Sequence, residues 1–207
     1  MDDERTAIET LIRAAWDAGD HERAAALAIE HYGPELLGFL INLTRDSDVA
    51  DELFGQFSES FWRSWQRFEW RCSVRTWAYK LVRRTATRQL KHDRQHKEVA
   101  VPLGSVLSLA VERVRTATMA YQRTNVKDRF QELRAQLPDD DQALLILRVD
   151  RDLSWLELAE IMLGAEHDPG ADQLKTEAAR LRKRFQLAKA RLRELVEQAG
   201  LLDADDG

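Results

Sequence analysis

Residues 177–195 read EAARLRKRFQLAKARLREL, and this stretch decides how the chain folds. Leu181, Phe185, Ala188, Leu192 and Leu195 recur at spacings of four and three, so a helix over them carries one apolar stripe that docks on other helices. A rotation of about 100° per residue puts Arg182, Lys183, Gln186, Ala190 and Arg193 on the opposite arc. Arg180, Arg184, Lys189 and Arg191 flank it. Cationic side chains in such an array suit phosphates, and their donors suit base edges. Charge alone usually marks only a solvated face, so the weight falls on what precedes this helix.

Leu137-Pro138 opens a helical run over Asp139–Val149, with Asp139, Asp140 and Asp141 at the positive end of the helix dipole and Leu144, Leu145 and Leu147 to bury. Ser154 and Glu157 then have the spacing of a capping box, and Leu158, Ala159, Ile161 and Met162 form the apolar side of the helix it starts. Gly164 supplies a stop. The segment Ala165–Lys175 contains Pro169-Gly170 and reads as a loop leading into the basic helix. Cap, stop and basic helix follow the order of a helix-turn-helix.

Composition favours an all-α fold. A chain of 207 residues, 44% hydrophobic and 32% charged, can bury one substantial core or two modest ones. Only four prolines and nine glycines punctuate it, and β-type alternation is lacking. The lone Cys72 has no internal disulfide partner, which fits a reducing cytoplasm, and it reads as an ordinary part-buried thiol. The apolar run Ala24–Ile29 is far too short to span a bilayer, which takes about 20 residues. No glycine-rich phosphate loop, nucleophile elbow or acid/base pair is present, so no enzyme, cofactor or catalytic residue is expected. His92 and His96 have the spacing of a helical metal pair, but no third ligand completes a site. No metal is expected.

The net charge of −5 conceals a segregation. Residues 1–60 carry four basic side chains against fourteen acidic ones, whereas residues 61–100 carry eleven basic against three acidic, interleaved with aromatics. An acidic block suits a protein partner; a basic block with aromatics suits single-stranded or melted nucleic acid.

The N-terminal part reads as a helical bundle. Helices are expected from Asp2 to about Ala18, from Glu22 to about Glu30, from Pro34 to Arg45, and from Asp48 to Trp65 with Leu53, Phe57, Phe61 and Trp65 at spacings of four. After the loop Phe68–Ser73, a helix over Val74–Lys91 turns Trp77, Leu81 and Val82 inward and Arg83, Arg84, Arg88 and Lys91 outward. Trp62 and Trp77 read as core, while Trp70 fits either packing or base stacking. The predicted organisation is two small helical domains, 1–91 and 125–200, joined by a linker 92–124 with periodicity for a short helix over Val106–Tyr121, and an acidic tail 201–207. A helix over Asn125–Gln136 opens the second domain.

These residues carry a resemblance. His31–Leu40 is similar to the start of region 2 of bacterial sigma factors of the extracytoplasmic-function class, and Ala50-Asp51-Glu52-Leu53 resembles the acidic segment by which that family docks on polymerase. Trp62, Arg67-Phe68 and Ser73–Arg84 follow at the family's spacing. Leu137–Gly164 and Leu181–Glu194 resemble region 4, and the likeness spans most of residues 27–195. The Ala165–Lys175 loop departs from the family's short turn, and Trp70-Arg71-Cys72 stands where the family usually has a small or acidic residue beside serine.

The resemblance implies a sigma factor that directs RNA polymerase to promoters and helps melt them. Its partners would be core RNA polymerase and promoter DNA, with room for an anti-sigma factor or other regulator. It implies polymerase contacts at Asp48, Asp51, Glu52 and Gln56, and −10 contacts at Arg67, Phe68, Trp70, Arg71, Ser73, Arg75, Arg83, Arg84 and Arg88. Duplex −35 contacts fall to Arg180, Arg182, Lys183, Arg184, Gln186 and Arg191. The expected location is the cytoplasm, on the nucleoid, with no membrane association. The alternative reading is an independent helix-turn-helix regulator whose N-terminal domain dimerises or binds a ligand.

Overall fold

The structure, a computed structural model, describes residues 2–90, 103–124, 129–164 and 169–200. The described residues are helical, without a strand, as composition predicts. The chain divides into two compact units, Met1–Thr124 and Asn125–Leu163 with His167–Gly207. Lys91, His92 and His96 lie outside the described residues.

The first unit is built around one long helix. Helix α1 (Asp2–Asp17), α3 (Ser47–Trp65), α4 (Val74–Leu90) and α5 (Ser105–Thr124) all pack on α2 (His21–Thr44). The sequence predicts a break near Pro34; instead α2 runs straight through it. A helix-interior proline removes a hydrogen bond and crowds the preceding turn. Burial on both sides outweighs that cost: Ala24, Ala25, Ala26, Ala28, Ile29 and Tyr32 before Pro34, and Leu36, Leu37, Phe39, Leu40 and Leu43 after it, are in the core. Asp20 caps the start by accepting from Arg23 N, and Arg45, in the left-handed region at φ 58°, closes the end onto the Ile41 carbonyl.

Asp46 caps α3 by accepting from the amides of Asp48 and Val49. The fourfold-spaced stripe Leu53, Phe57, Phe61 and Trp65 is fully buried, as its spacing predicts.

Helix α5 covers much of the stretch expected to be linker. It buries Leu107, Ala110, Val111 and Val114 in the first unit, so this unit continues to Thr124 rather than ending at residue 91. Two glycines permit the approach. A Cβ on Gly33 would lie 2.8 Å from Val114 Cγ2, and one on Gly55 would lie 2.9 Å from Arg115 Nη2. At the start of α5, Glu22 accepts from Val106 N at 2.8 Å.

The second unit comprises α6 (Arg129–Arg134), α7 (Asp139–Leu145) continued by a π-helical turn (Ile146–Asp150), α8 (Trp155–Leu163) and α9 (Ala171–Gln198). The capping box forms as predicted: Ser154 N donates to Glu157 Oε2 at 2.8 Å, and Glu157 N donates to Ser154 Oγ at 3.3 Å. Gly164, at φ 93°, follows the end of α8 in the conformation that stops a helix. Helix α9 begins five residues earlier than the expected loop allows. Extended Gly170 precedes it, and Ala171–Lys175, read as loop, form its first turn and more. Proline and glycine at 169–170 therefore mark the entry of the helix. Ala178, Leu181, Phe185, Ala188 and Leu192 are its buried stripe, against α6, α7 and α8.

Candidate functional site

The loop Arg67–Ser73 hangs on an aromatic cluster. Trp65 is fully buried, and its indole N–H donates to the His21 carbonyl at 2.9 Å. Phe61, Phe68 and Trp77 lie within 5.9 Å of the Trp65 ring, centroid to centroid. Trp70 packs edge-on against Trp16 of α1 at 5.6 Å and lies tilted against Phe68 at 4.9 Å, and the Arg13 guanidinium sits 4.6 Å from its ring centroid. Trp70 adopts φ 56°, a region that costs a bulky residue energy. Its contacts with Trp16, Phe68 and Arg13 hold it there. Phe68 is buried and Trp70 half-buried, so both tie the loop down, whereas Arg67 and Arg71 are exposed, Arg71 pairing with Glu69 at 2.7 Å.

The exit of this loop is fixed by carboxylates from other helices. Ser73 Oγ accepts from Thr76 N, a local N-cap on α4. Glu9 of α1 adds a second cap, accepting from the amides of Val74 at 3.0 Å and Arg75 at 3.2 Å. The Tyr32 hydroxyl donates to the same carboxylate at 2.8 Å. Burial, with the negative Glu9 beside it, pushes the Tyr32 phenol far above its ordinary value.

Arg75 differs most from its expected role. Its side chain is buried, and Nε and Nη2 form a two-pronged pair with Glu35 at 2.7 and 3.0 Å. Glu35 on α2 satisfies it inside the bundle, so Arg75 does not join an outward basic face. Arg83 and Arg84 are half-exposed and Arg88 is exposed along α4. Trp77 stacks at 4.8 Å on Phe68. Cys72 is a half-buried thiol.

The four polymerase-contact candidates on α3 divide in two. Asp48, Glu52 and Gln56 are exposed at spacings of four and form one stripe; Gln56 Nε2 lies 3.4 Å from Glu52 Oε1. Asp51 faces α5 instead. Its carboxylate pairs with Arg115 Nε at 2.9 Å, and its backbone carbonyl accepts from Arg115 Nη2 at 3.1 Å. Nothing in the sequence placed Arg115 there, since the pair spans sixty-four residues.

On α9 the faces fall largely as the rotation predicts. Arg180, Arg182, Lys183, Gln186 and Arg191 are exposed. Arg184 is the exception. Half-buried, it is held by Asp141 and approaches Asp140 at 3.7 Å, so it clamps α9 to the first turn of α7. Glu177 lies 3.4 Å from Arg180. Among the described residues, no group of three or more His, Cys, Asp or Glu is arranged to hold a metal ion. No described helix is long and apolar enough to cross a membrane.

The first unit is thus an all-α bundle presenting a tethered aromatic loop, a basic helix and a separate acidic stripe. Its residues 28–96, from within α2 past the end of α4, match the family model for Sigma-70 region 2. No curated protein matches the chain.

Proposed function

We propose that the chain is a sigma factor of the extracytoplasmic-function class, which confers promoter choice on RNA polymerase without catalytic chemistry of its own. The observation that carries this reading is the match of residues 28–96 to Sigma-70 region 2. The bundle supports it with an acidic stripe and a basic, aromatic loop on the same unit. In this reading Asp48, Glu52 and Gln56 contact core polymerase, with Asp51 shared with Arg115. The loop from Arg67 to Ser73 and the basic side of α4, with Arg83, Arg84 and Arg88, engage the −10 region as it opens. Phe68, Trp70 and Arg75 set the loop's geometry.

The second unit is proposed as a helix-turn-helix formed by α8 and α9, reading the duplex −35 region with Arg180, Arg182, Lys183, Gln186 and Arg191. The protein then works in the cytoplasm on the nucleoid, and an anti-sigma factor or other regulator would control it by covering one of these faces. Charge reversal tests the polymerase face, because it adds repulsion to lost attraction in a complementary interface. The variant Asp48→Lys/Glu52→Lys keeps the fold, since both side chains are exposed, and it should co-elute with core polymerase far less than the unmodified chain. Undiminished co-elution of the folded variant overturns the assignment.

A further inference from the structure

We propose that Trp155 is a specificity-determining positioning residue that acts through Arg182, making Arg182 the side chain by which α9 selects a guanine. The inference rests on the reading that α9 contacts duplex DNA and adds which of its basic residues carries sequence information.

Trp155 is the first residue of α8, and the capping box of Ser154 and Glu157 fixes its backbone. Three side chains surround the half-buried indole. Phe185 of α9 meets it edge-on at 5.5 Å and 78°. The guanidinium carbons of Arg148 and Arg182 lie 5.2 and 5.6 Å from the ring centroid, within the range of cation–π attraction. Arg148 is itself anchored, with Nη1 donating to the Leu153 carbonyl at 2.9 Å and pairing with Asp152 at 3.3 Å. Phe185 is buried. The indole is therefore braced by fixed neighbours, while Arg182 is an exposed chain that the ring can orient.

A cation–π contact uses the face of the guanidinium and leaves its N–H edge available. That edge is the planar fork that reads guanine O6 and N7 together. An exposed arginine otherwise loses much rotamer freedom on binding, and holding it beforehand lowers that cost selectively for the base it meets. Lys183, the next residue on the arc, has only a mobile point charge suited to phosphate. Arg182 would discriminate between bases, and Lys183 would attach to all sequences alike.

The test uses the full chain bound to core polymerase, presented with a randomised duplex DNA library whose retained fragments are sequenced. The unmodified chain is expected to select guanine at an upstream position. Arg182→Ala and Trp155→Leu should each weaken that one preference by roughly tenfold, and the double variant should lose no more than either alone. Trp155→Phe, which keeps a ring, should largely retain the preference. Lys183→Ala should weaken retention of all fragments without altering it. Circular dichroism checks the fold, and Trp155→Met, with a flexible apolar chain, replaces the leucine variant if that one unfolds. Retention of the preference by the ringless variant, or a uniform loss across all sequences, overturns the role of Trp155. If the unmodified chain selects no upstream sequence, the duplex-reading role of α9 itself fails, and this proposal with it.

Discussion

The loop at the start of α4 and the outer arc of α9 are both arginine-rich and both candidates for nucleic acid, yet they are built in opposite ways. Around the loop, candidate contact residues are also structural members: Phe68 and Arg75 are buried, and Trp70 is wedged between Trp16 and Phe68. On α9, the buried stripe and the exposed arc are different residues; of the six candidates, Arg184 is ion-paired to α7 and the exposed Arg182 rests its guanidinium on Trp155 of α8. A single long helix can separate packing from contact by rotation, because its period assigns each side chain to one face. A loop between helices has no such period. There the same residues must both shape the surface and serve it.

The largest effect is expected at Arg75. Arg75→Met leaves the Glu35 carboxylate, largely buried against α4, without its partner. Breaking a buried pair on one side costs about 3–5 kcal/mol, and the part-exposed Glu35 places the loss near the lower end. Urea denaturation should show a large loss confined to the first unit. A near-neutral result would mean that Arg75 is available to DNA after all.

Glu9→Ala is the next largest. It removes the carboxylate that caps α4 and leaves the buried Tyr32 hydroxyl unpaired, each worth roughly 1–2 kcal/mol. The raised Tyr32 phenol adds a pH signature. Because the folded state holds this proton more tightly than the unfolded chain, the contribution is complete below the ordinary tyrosine value near 10. It falls as pH rises above that, so alkaline titration of stability should be steeper for the unmodified chain than for Tyr32→Phe.

In the second unit, Ser154→Ala should cost about 1 kcal/mol through the lost cap of α8. Thermal melting measures it, and an unchanged midpoint would mean that the box contributes nothing. The smallest effect is expected on the outer arc of α9. Lys183→Ala/Gln186→Ala should change stability by no more than roughly 0.5 kcal/mol, while weakening attachment to duplex DNA. A large stability loss would show that α9 too mixes packing with contact.

This contrast also explains what was legible in the sequence. The stripe of α3, the capping box of α8 and the two faces of α9 could be read because each depends on residues a few positions apart. Pro34 suggested a break, but packing along both halves of α2 decided otherwise. Pro169-Gly170 suits the middle of a loop as well as the entry to a helix, so the local pattern alone does not fix the start of α9 at Ala171. The caps from Glu9 and Glu22, the pairing of Arg75 with Glu35 and of Asp51 with Arg115 join residues forty to eighty-four positions apart. No local pattern announces them. They also account for the differences at Arg75 and Asp51, whose exposure is settled by partners on other helices.

The most direct test of the central proposal is transcription by core RNA polymerase with and without the chain, on fragments of the chain's own genome, with mapping of transcript starts and of permanganate-reactive thymines. New starts are expected only when the chain is present, with unpaired thymines just upstream of each. Duplex binding by the chain alone, with no new starts and no opened DNA in the presence of polymerase, would contradict it.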